Sequence, residues 1–300
     1  MFIFNKNLQQ FIDMKNINLL KQLYQINSKS GQEQEIVEFI VEYITTNYPS
    51  VKIHVDSSNN IYCVKGKADM YPCVVGHTDQ VGSYKGKISI FRQHNIIIGV
   101  GEHGKQVNLG ADDKNGVWIA LELLRTEPCL KVALFTGEEI GCRGSRVADL
   151  SFFDDVKFVI QCDRKHKSDF IYMAGAVTLC DHNWPSKELK DKYGYVNTYG
   201  LMTDVQELKK RGLKVACCNI SCGYYNPHLD TEYTNIEELI NCLNFVREII
   251  QTTPYTPHEY KPGSSYYGHY YSDNYDDVNW NEYYDERQDI IGAVCIDDFL

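Results

Sequence analysis

The feature that most narrows the fold is the order of apolar patterns along the chain. Short apolar runs with strand character, at Cys73–Gly76, Leu130–Phe135, Val156–Cys162 and Val215–Ser221, are separated by segments whose apolar residues recur at helical spacing. Helices are predicted at Gly116–Leu124 and Val205–Lys210, and an amphipathic stretch, Ile236–Ile250, closes the pattern. Strands alternating with helices predict an α/β fold of three layers, with helices on both faces of a mostly parallel mixed sheet. Upstream, Ile17–Ile26 and Glu33–Tyr48 also read as helices, with Ile36, Val37, Ile40 and Ile44 on one face of the second. Ser30, three residues ahead of Glu33, has the form of a capping box. Strand-like runs follow at Val51–Val55, at Ile61–Lys65 after an Asn59-Asn60 turn, and more weakly at Ile88–Phe91 and Ile96–Val100.

In open α/β sheets ligands bind outside the carboxyl ends of the strands, so the residues just past each strand matter most. Gly76-His77-Thr78-Asp79-Gln80-Val81 follows the first strand, and Gly110-Ala111-Asp112-Asp113-Lys114-Asn115-Gly116 precedes a helix. Phe135-Thr136-Gly137-Glu138-Glu139 and Gln161-Cys162-Asp163 end two further strands, and Gly223-Tyr224-Tyr225-Asn226-Pro227-His228 follows another. Each has a bland reading when taken singly. His77 suits a satisfied core histidine, Asp112-Asp113 a helix cap, Glu138-Glu139 a solvated turn, Asp163 the start of a charged loop, and His228 a turn residue. All of those readings must hold together for a site to vanish, yet every motif falls where the fold rule expects one.

Neutral imidazole mixed with hard carboxylate oxygen suits Zn²⁺, with Mn²⁺ or Co²⁺ as substitutes. A bridging carboxylate flanked by two pairs of ligands would hold two ions about 3.5–4 Å apart. Such a centre also needs a base that is not a ligand. Adjacent residues at a strand end point differently, so one of Glu138 and Glu139 can ligate while the other handles the proton. Neither a G-x-S-x-G elbow nor a G-x-x-x-x-G-K-[ST] loop is present, which leaves serine hydrolase and P-loop readings without support.

The set H-x-D-x-V, G-A-D-D-K-x-G, E-E, a later D and G-x-x-x-x-H resembles the co-catalytic di-zinc exopeptidases, the clan of peptidase T, the carboxypeptidase G type and the compact zinc aminopeptidases. The likeness covers about residues 15–252, and GADDKNG and CGYYNPHLDTEY look most like peptidase T. It implies a zinc exopeptidase-like catalytic domain in which Asp112 bridges two metals. His77 and Asp163 would complete one site, and Glu139 and His228 the other. Glu138 would be the general base, and Asp79 would hold His77 in its ligating tautomer. The resemblance also implies a cis peptide at Asp112-Asp113.

One departure stands out. Peptidase T and its near relatives carry a lid domain between the fourth and fifth ligands, whereas Asp163 and His228 are only 65 residues apart here. The lid is expected to be absent, as in the compact aminopeptidases, where a tyrosine near the last histidine stabilises the oxyanion; Tyr224 or Tyr225 would take that substrate-binding part. The expected activity is that of a metal-dependent exopeptidase, an aminopeptidase hydrolysing short peptides with a bridging hydroxide on two metal ions. An amidohydrolase or deacylase on a non-peptide N-acyl substrate, or a catalytically silent binding protein of the same fold, are the other readings.

Composition enters last. Eleven scattered cysteines without a C-x-x-C pair argue against a zinc ribbon and fit buried reduced thiols in a cytoplasmic protein. No apolar run is long enough for a membrane helix, and the apolar patch at the start is too short for a secretory signal. The net charge of −10 disfavours nucleic acid and anionic membranes as partners. Most of it lies in residues 255–300, with ten acids, two bases and nine of the 22 tyrosines, so that the first 254 residues carry only −2. The organisation expected is a catalytic domain over 1–254 and a flexible acidic, tyrosine-rich tail over 255–300, which would solubilise the protein, bind a partner or fold over the cleft.

Overall fold

Helical spacing at the start of the chain becomes two helices, α1 at residues 17–25 and α2 at Gln34–Asn47. The computed structural model describes residues 17–82 and 84–253, so the acidic segment read above as a tail lies outside the described residues. Helix α2 buries Ile36, Val37, Ile40 and Ile44, the stripe its spacing predicts. The expected capping box does not form: Glu33 occupies the N-cap position and no side chain caps the first turn. Ser30 instead donates its hydroxyl to Asp79 Oδ2 at 2.7 Å, because a hydrogen bond to a buried carboxylate is stronger than one to a backbone amide.

Lys52–Val55 (β1) and Ile61–Lys65 (β2) form a hairpin whose turn is held by Asp56 Oδ1, which accepts from the amides of Ser58 at 2.8 Å and Asn60 at 3.0 Å. Tyr71–His77 is β3, buried along its whole length. Ser89–Gln93 (β4) and Ile96–Val100 (β5) form a second hairpin, and Gln106–Val107 (β6) pairs with β5. Then come α3 (Ala111–Thr126), β7 (Leu130–Phe135), α4 (Arg143–Val147) and β8 (Val156–Arg164). The next stretch holds β9 (Asp169–Ala174), β10 (Val177–Thr178), α5 (Lys187–Tyr193), β11 (Val196–Gly200) and α6 (Asp204–Lys210). The last elements are β12 (Cys217–Ser221), β13 (Tyr224–Tyr225), β14 (Tyr233–Asn235) and α7 (Ile236–Thr252).

Nine strands make the main sheet, in the order β1-β2-β7-β3-β8-β12-β9-β10 with β11 beside β9. Its centre, β7-β3-β8-β12, is parallel, and antiparallel pairs flank it on both sides. Alternation along the strands divides the core in two. Val74, Val132, Leu134 and Ile160 face a cluster built with α1, α2, α3 and α7. Cys73, Val75, Ala133 and Val159 face the other side, with Val205 and Leu208 of α6. This is the expected three-layer α/β arrangement. A smaller sheet has five strands, β13-β14-β5-β4 with β6 beside β5.

The interval between Asp163 and His228 is filled by β9 to β13 with α5 and α6, all serving these sheets, and among the described residues it holds no inserted domain. The ten cysteines among the described residues are free, nine of them buried. No helix among the described residues is long and apolar enough to cross a membrane. Leu124 is fully buried in the cluster between α3 and its neighbours. Leu124→Ala is expected to cost about 2–5 kcal/mol in urea unfolding; a loss below about 1 kcal/mol would contradict this packing.

Candidate metal centre

Three neighbouring parallel strands bring most of the predicted residues to one edge. His77 is the last residue of β3, Asp163 lies next to the end of β8, and Glu138 and Glu139 follow the end of β7. Register aligns them: His77 pairs with Phe135, and Val75 with Gln161, so Asp163 stands level with His77. After β7 the chain turns at Gly137, whose φ of 63° is a left-handed conformation that glycine adopts without penalty. Its amide donates to Glu33 Oε1 at 3.1 Å, which ties the turn to the start of α2. Asp112 comes from the first turn of α3, and His228 from the loop between β13 and β14. His228 has φ 67°, a left-handed conformation uncommon for a residue with a side chain.

Each oxygen of Asp112 faces one imidazole. His77 Nε2 is 3.2 Å from Oδ1 and His228 Nε2 is 3.3 Å from Oδ2. His228 Nε2 is also 2.8 Å from Glu139 Oε1, and His77 Nε2 is 3.5 Å from Asp163 Oδ1. Asp112, Glu139 and His228 therefore form one cluster able to hold an ion. A second cluster joins His77 and Asp163 to Asp113, and a third joins His77 to Glu138 and Glu139. Asp113 is already committed, since its carboxylate accepts the amides of His77 at 3.2 Å and Gly116 at 2.9 Å. That leaves Asp112 as the carboxylate better placed beside His77. A Cβ on Gly76 would lie 2.7 Å from Asp113 Oδ2, and one on Gly116 would strike the same carboxylate, so both motif glycines make room for it. The Asp112-Asp113 peptide is cis, as the resemblance implies.

Asp79 sits beneath these groups and touches several at once. Its carboxylate accepts from Ser30 Oγ at 2.7 Å and from the amides of Glu138 and Glu139 at 2.9 and 3.2 Å. His77 Nδ1 lies 3.0 Å from the Asp79 carbonyl and 3.3 Å from its carboxylate, which leaves Nε2 facing the cluster. Gln161 Nε2 donates to Asp163 Oδ2 at 2.9 Å, and Asn219 exchanges two 2.9 Å hydrogen bonds with the Asp163 backbone. Sequence patterns do not single out Ser30 or Asn219 for the site, and Glu232, although inside the CGYYNPHLDTEY motif, receives no role from it. The last two stand close to the strand and loop that carry the site, but their role depends on partners distant in the chain.

The candidate tyrosines differ. Tyr225 donates its hydroxyl to Glu238 at 2.6 Å and stacks on Tyr233 at 4.8 Å between ring centroids. Tyr224 is buried, and burial, then the charges of Asp112 and Asp163, push its phenol upward so that it stays protonated.

Charge in the cluster is lopsided. Burial, then Asp163, Asp204 and Glu139, raises Glu138, and burial with Asp112 raises Asp163. For Asp112 burial pulls upward, but hydrogen bonds with His228 and His77 win and hold it well below the usual carboxylate range. His228 is pushed up to about 11, burial being outweighed by Asp112 and Glu139. Carboxylates that crowd one another and draw protons onto two imidazoles form a donor set that fits divalent cations.

No protein-family model matches the chain, and no curated protein sequence does. Solved structures do match. The aminopeptidase PepT of Bacillus cereus ATCC 10987 aligns with a TM-score of 0.65 over 80% of this chain and 98% of its own, at 15% identity. A tripeptidase of Staphylococcus aureus subsp. aureus mu50 gives 0.63 over 80% and 98% at 14% identity. The aminopeptidase APDkam598 of Desulfurococcus kamchatkensis gives 0.60 over 81% and 96%, also at 14% identity. The chain thus has the fold of the co-catalytic zinc aminopeptidases.

Asp79→Ala removes the carboxylate that accepts from Ser30 and from the Glu138 and Glu139 amides and lies 3.3 Å from His77 Nδ1, while the backbone carbonyl 3.0 Å from Nδ1 remains. It is expected to weaken Zn²⁺ binding about 10–100-fold in a chelator competition. Unchanged affinity would contradict the positioning described for Asp79.

Proposed function

We propose that the chain is a metal-dependent exopeptidase, an aminopeptidase acting on short peptides, with two divalent cations held by His77, Asp112, Glu139, Asp163 and His228. The observation that carries this is Asp112, with one imidazole on each oxygen at 3.2 and 3.3 Å, which supports a carboxylate shared between two ions that each also bind one of the imidazoles. Zn²⁺ suits the donors best, with Mn²⁺ or Co²⁺ as substitutes. Bound there, the ions supply Lewis acidity, which polarises the scissile carbonyl and eases deprotonation of water.

The remaining work falls to this chain's side chains. Glu138 is the general base: it is buried beside the ligand clusters, burial raises its carboxyl, and it would take a proton from water and return it to the leaving amine. Its backbone N–H donates to Asp79 Oδ1 at 2.9 Å, which holds the turn that carries it. Asp79 also keeps the His77 Nδ1 proton in place, so Nε2 is the donor to a metal. Tyr224, with a protonated phenol, is the oxyanion donor in this scheme, because Tyr225 has given its hydroxyl to Glu238.

The names of the structural neighbours, aminopeptidases and a tripeptidase, support short peptides as substrates. Free buried thiols support a reducing, cytoplasmic setting. Residues 1–254 form the catalytic domain in this proposal, and 255–300 an acidic appendage.

The test is metal analysis joined to a panel of free and N-blocked peptides. Glu138→Gln is expected to keep its metal and lose turnover by about 10²–10⁴-fold. Asp112→Ala is expected to lose metal and activity together. Full activity in Glu138→Gln would overturn the base assignment, and cleavage of N-acylated substrates alone would move the protein to the amidohydrolases.

A further inference from the structure

Glu232 is fully buried and stands outside the predicted ligand set, yet its carboxylate accepts five hydrogen bonds. Its Oε2 accepts the backbone amides of Leu109 at 2.9 Å, Gly110 at 2.6 Å and Ala111 at 3.2 Å, and the Asn108 side-chain amide at 3.1 Å. Its Oε1 accepts the amide of Asp112 at 3.2 Å. A helix leaves its first amides without partners in its own turn. The N-cap of α3 is Gly110, which has no side chain to supply them, and Glu232 does so from 120 residues beyond Asp112.

Glu232 also belongs to the loop that carries His228, four residues earlier in the chain. The same short segment ahead of α3 grips that loop at further points. Asn108 donates its amide N–H to Asp230 Oδ1 at 3.3 Å and its side-chain amide to the Leu229 carbonyl at 3.4 Å. Gln106 Nε2 donates to the Glu232 carbonyl at 3.1 Å, and the Glu232 amide closes back on the Leu229 carbonyl at 3.1 Å. The turn bearing Asp112 and the loop bearing His228 are therefore fastened together through one carboxylate and its neighbours.

We infer that Glu232 is a positioning residue that sets the separation between Asp112 and His228, and with it the affinity of the ion held by Asp112, Glu139 and His228. This rests on the two-cation reading above. It goes beyond that reading by making one site depend on a residue that touches neither ion. A helix cap acting only on stability would lower the melting temperature and leave metal binding alone. A strut between two ligands must instead weaken one ion more than the other.

The experiment uses the purified full-length chain, titrated with Zn²⁺ against a chelator, with the melting temperature of the metal-free protein read alongside. Glu232→Gln keeps the size of the side chain but turns an N–H toward backbone amides. Because Asp112 serves both ions it is expected to weaken both, the ion held with Glu139 and His228 by about 10–100-fold and the other by clearly less. Leu124→Ala, destabilised in the distant core, is expected to keep both. If Glu232→Gln does not fold, Asn108→Ala, which loses the side-chain bonds to Glu232 and Leu229, is expected to weaken the same ion by about 10-fold.

Wild-type affinity for both ions in Glu232→Gln, or in Asn108→Ala where that variant is the one measured, overturns the inference. So does equal weakening of both ions, or the same selective loss in Leu124→Ala. A wild-type chain that binds no Zn²⁺ overturns the two-cation reading itself, and the role of Glu232 with it.

Discussion

Each oxygen of Asp112 meets an imidazole, and a buried carboxylate can persist in that position only if its backbone, its two partners and its acidic neighbours are all held in place. Separate anchors do this. Glu232 holds the backbone amides of the turn that presents Asp112. Asp113 points into the sheet edge and binds the amides of His77 and Gly116. Asp79 binds His77 and the amides of Glu138 and Glu139. Backbone N–H groups, a hydroxyl and imidazoles surround these carboxylates and balance their charge.

The sheet explains why such distant residues meet. β7, β3 and β8 are parallel neighbours, so their carboxyl ends open on the same edge. Pairing of His77 with Phe135 and of Val75 with Gln161 fixes the relative height of His77, the Glu138-Glu139 turn and Asp163. A shift of one residue in either pairing would turn the ligand side chains to the opposite face. The apolar alternation that divides the core into two clusters opposes such a slip, so packing far from the site protects the geometry at the edge.

Much of this was legible in the sequence, and the gaps have physical causes. The apolar strands β3, β7 and β8 and the helices α2 and α7 follow their spacing to within a few residues, because burial on one or both faces leaves a clear pattern. The region from β9 to β11 carried no such mark. Helix α5, KELKDKY, offers the core only Leu189 and Tyr193, both partly buried, and β11, VNTYG, lies at a sheet edge with Val196 and Tyr199 exposed. The five residues of the expected ligand set were visible because they fall beside strand and helix ends. Ser30 and Glu232 were not, since a hydroxyl read as a helix cap and an acid in a turn acquire their roles only when residues 49 and 120 positions away arrive beside them.

In the two-cation proposal Asp112 lies between the ions. The most direct measurement is a crystal structure of the protein grown with Zn²⁺, with the metal located by its anomalous scattering. Two peaks about 3.5–4 Å apart are expected, one beside His77 and Asp163 and the other beside Glu139 and His228, with Asp112 touching both. A single ion, or two ions that Asp112 does not join, would contradict it.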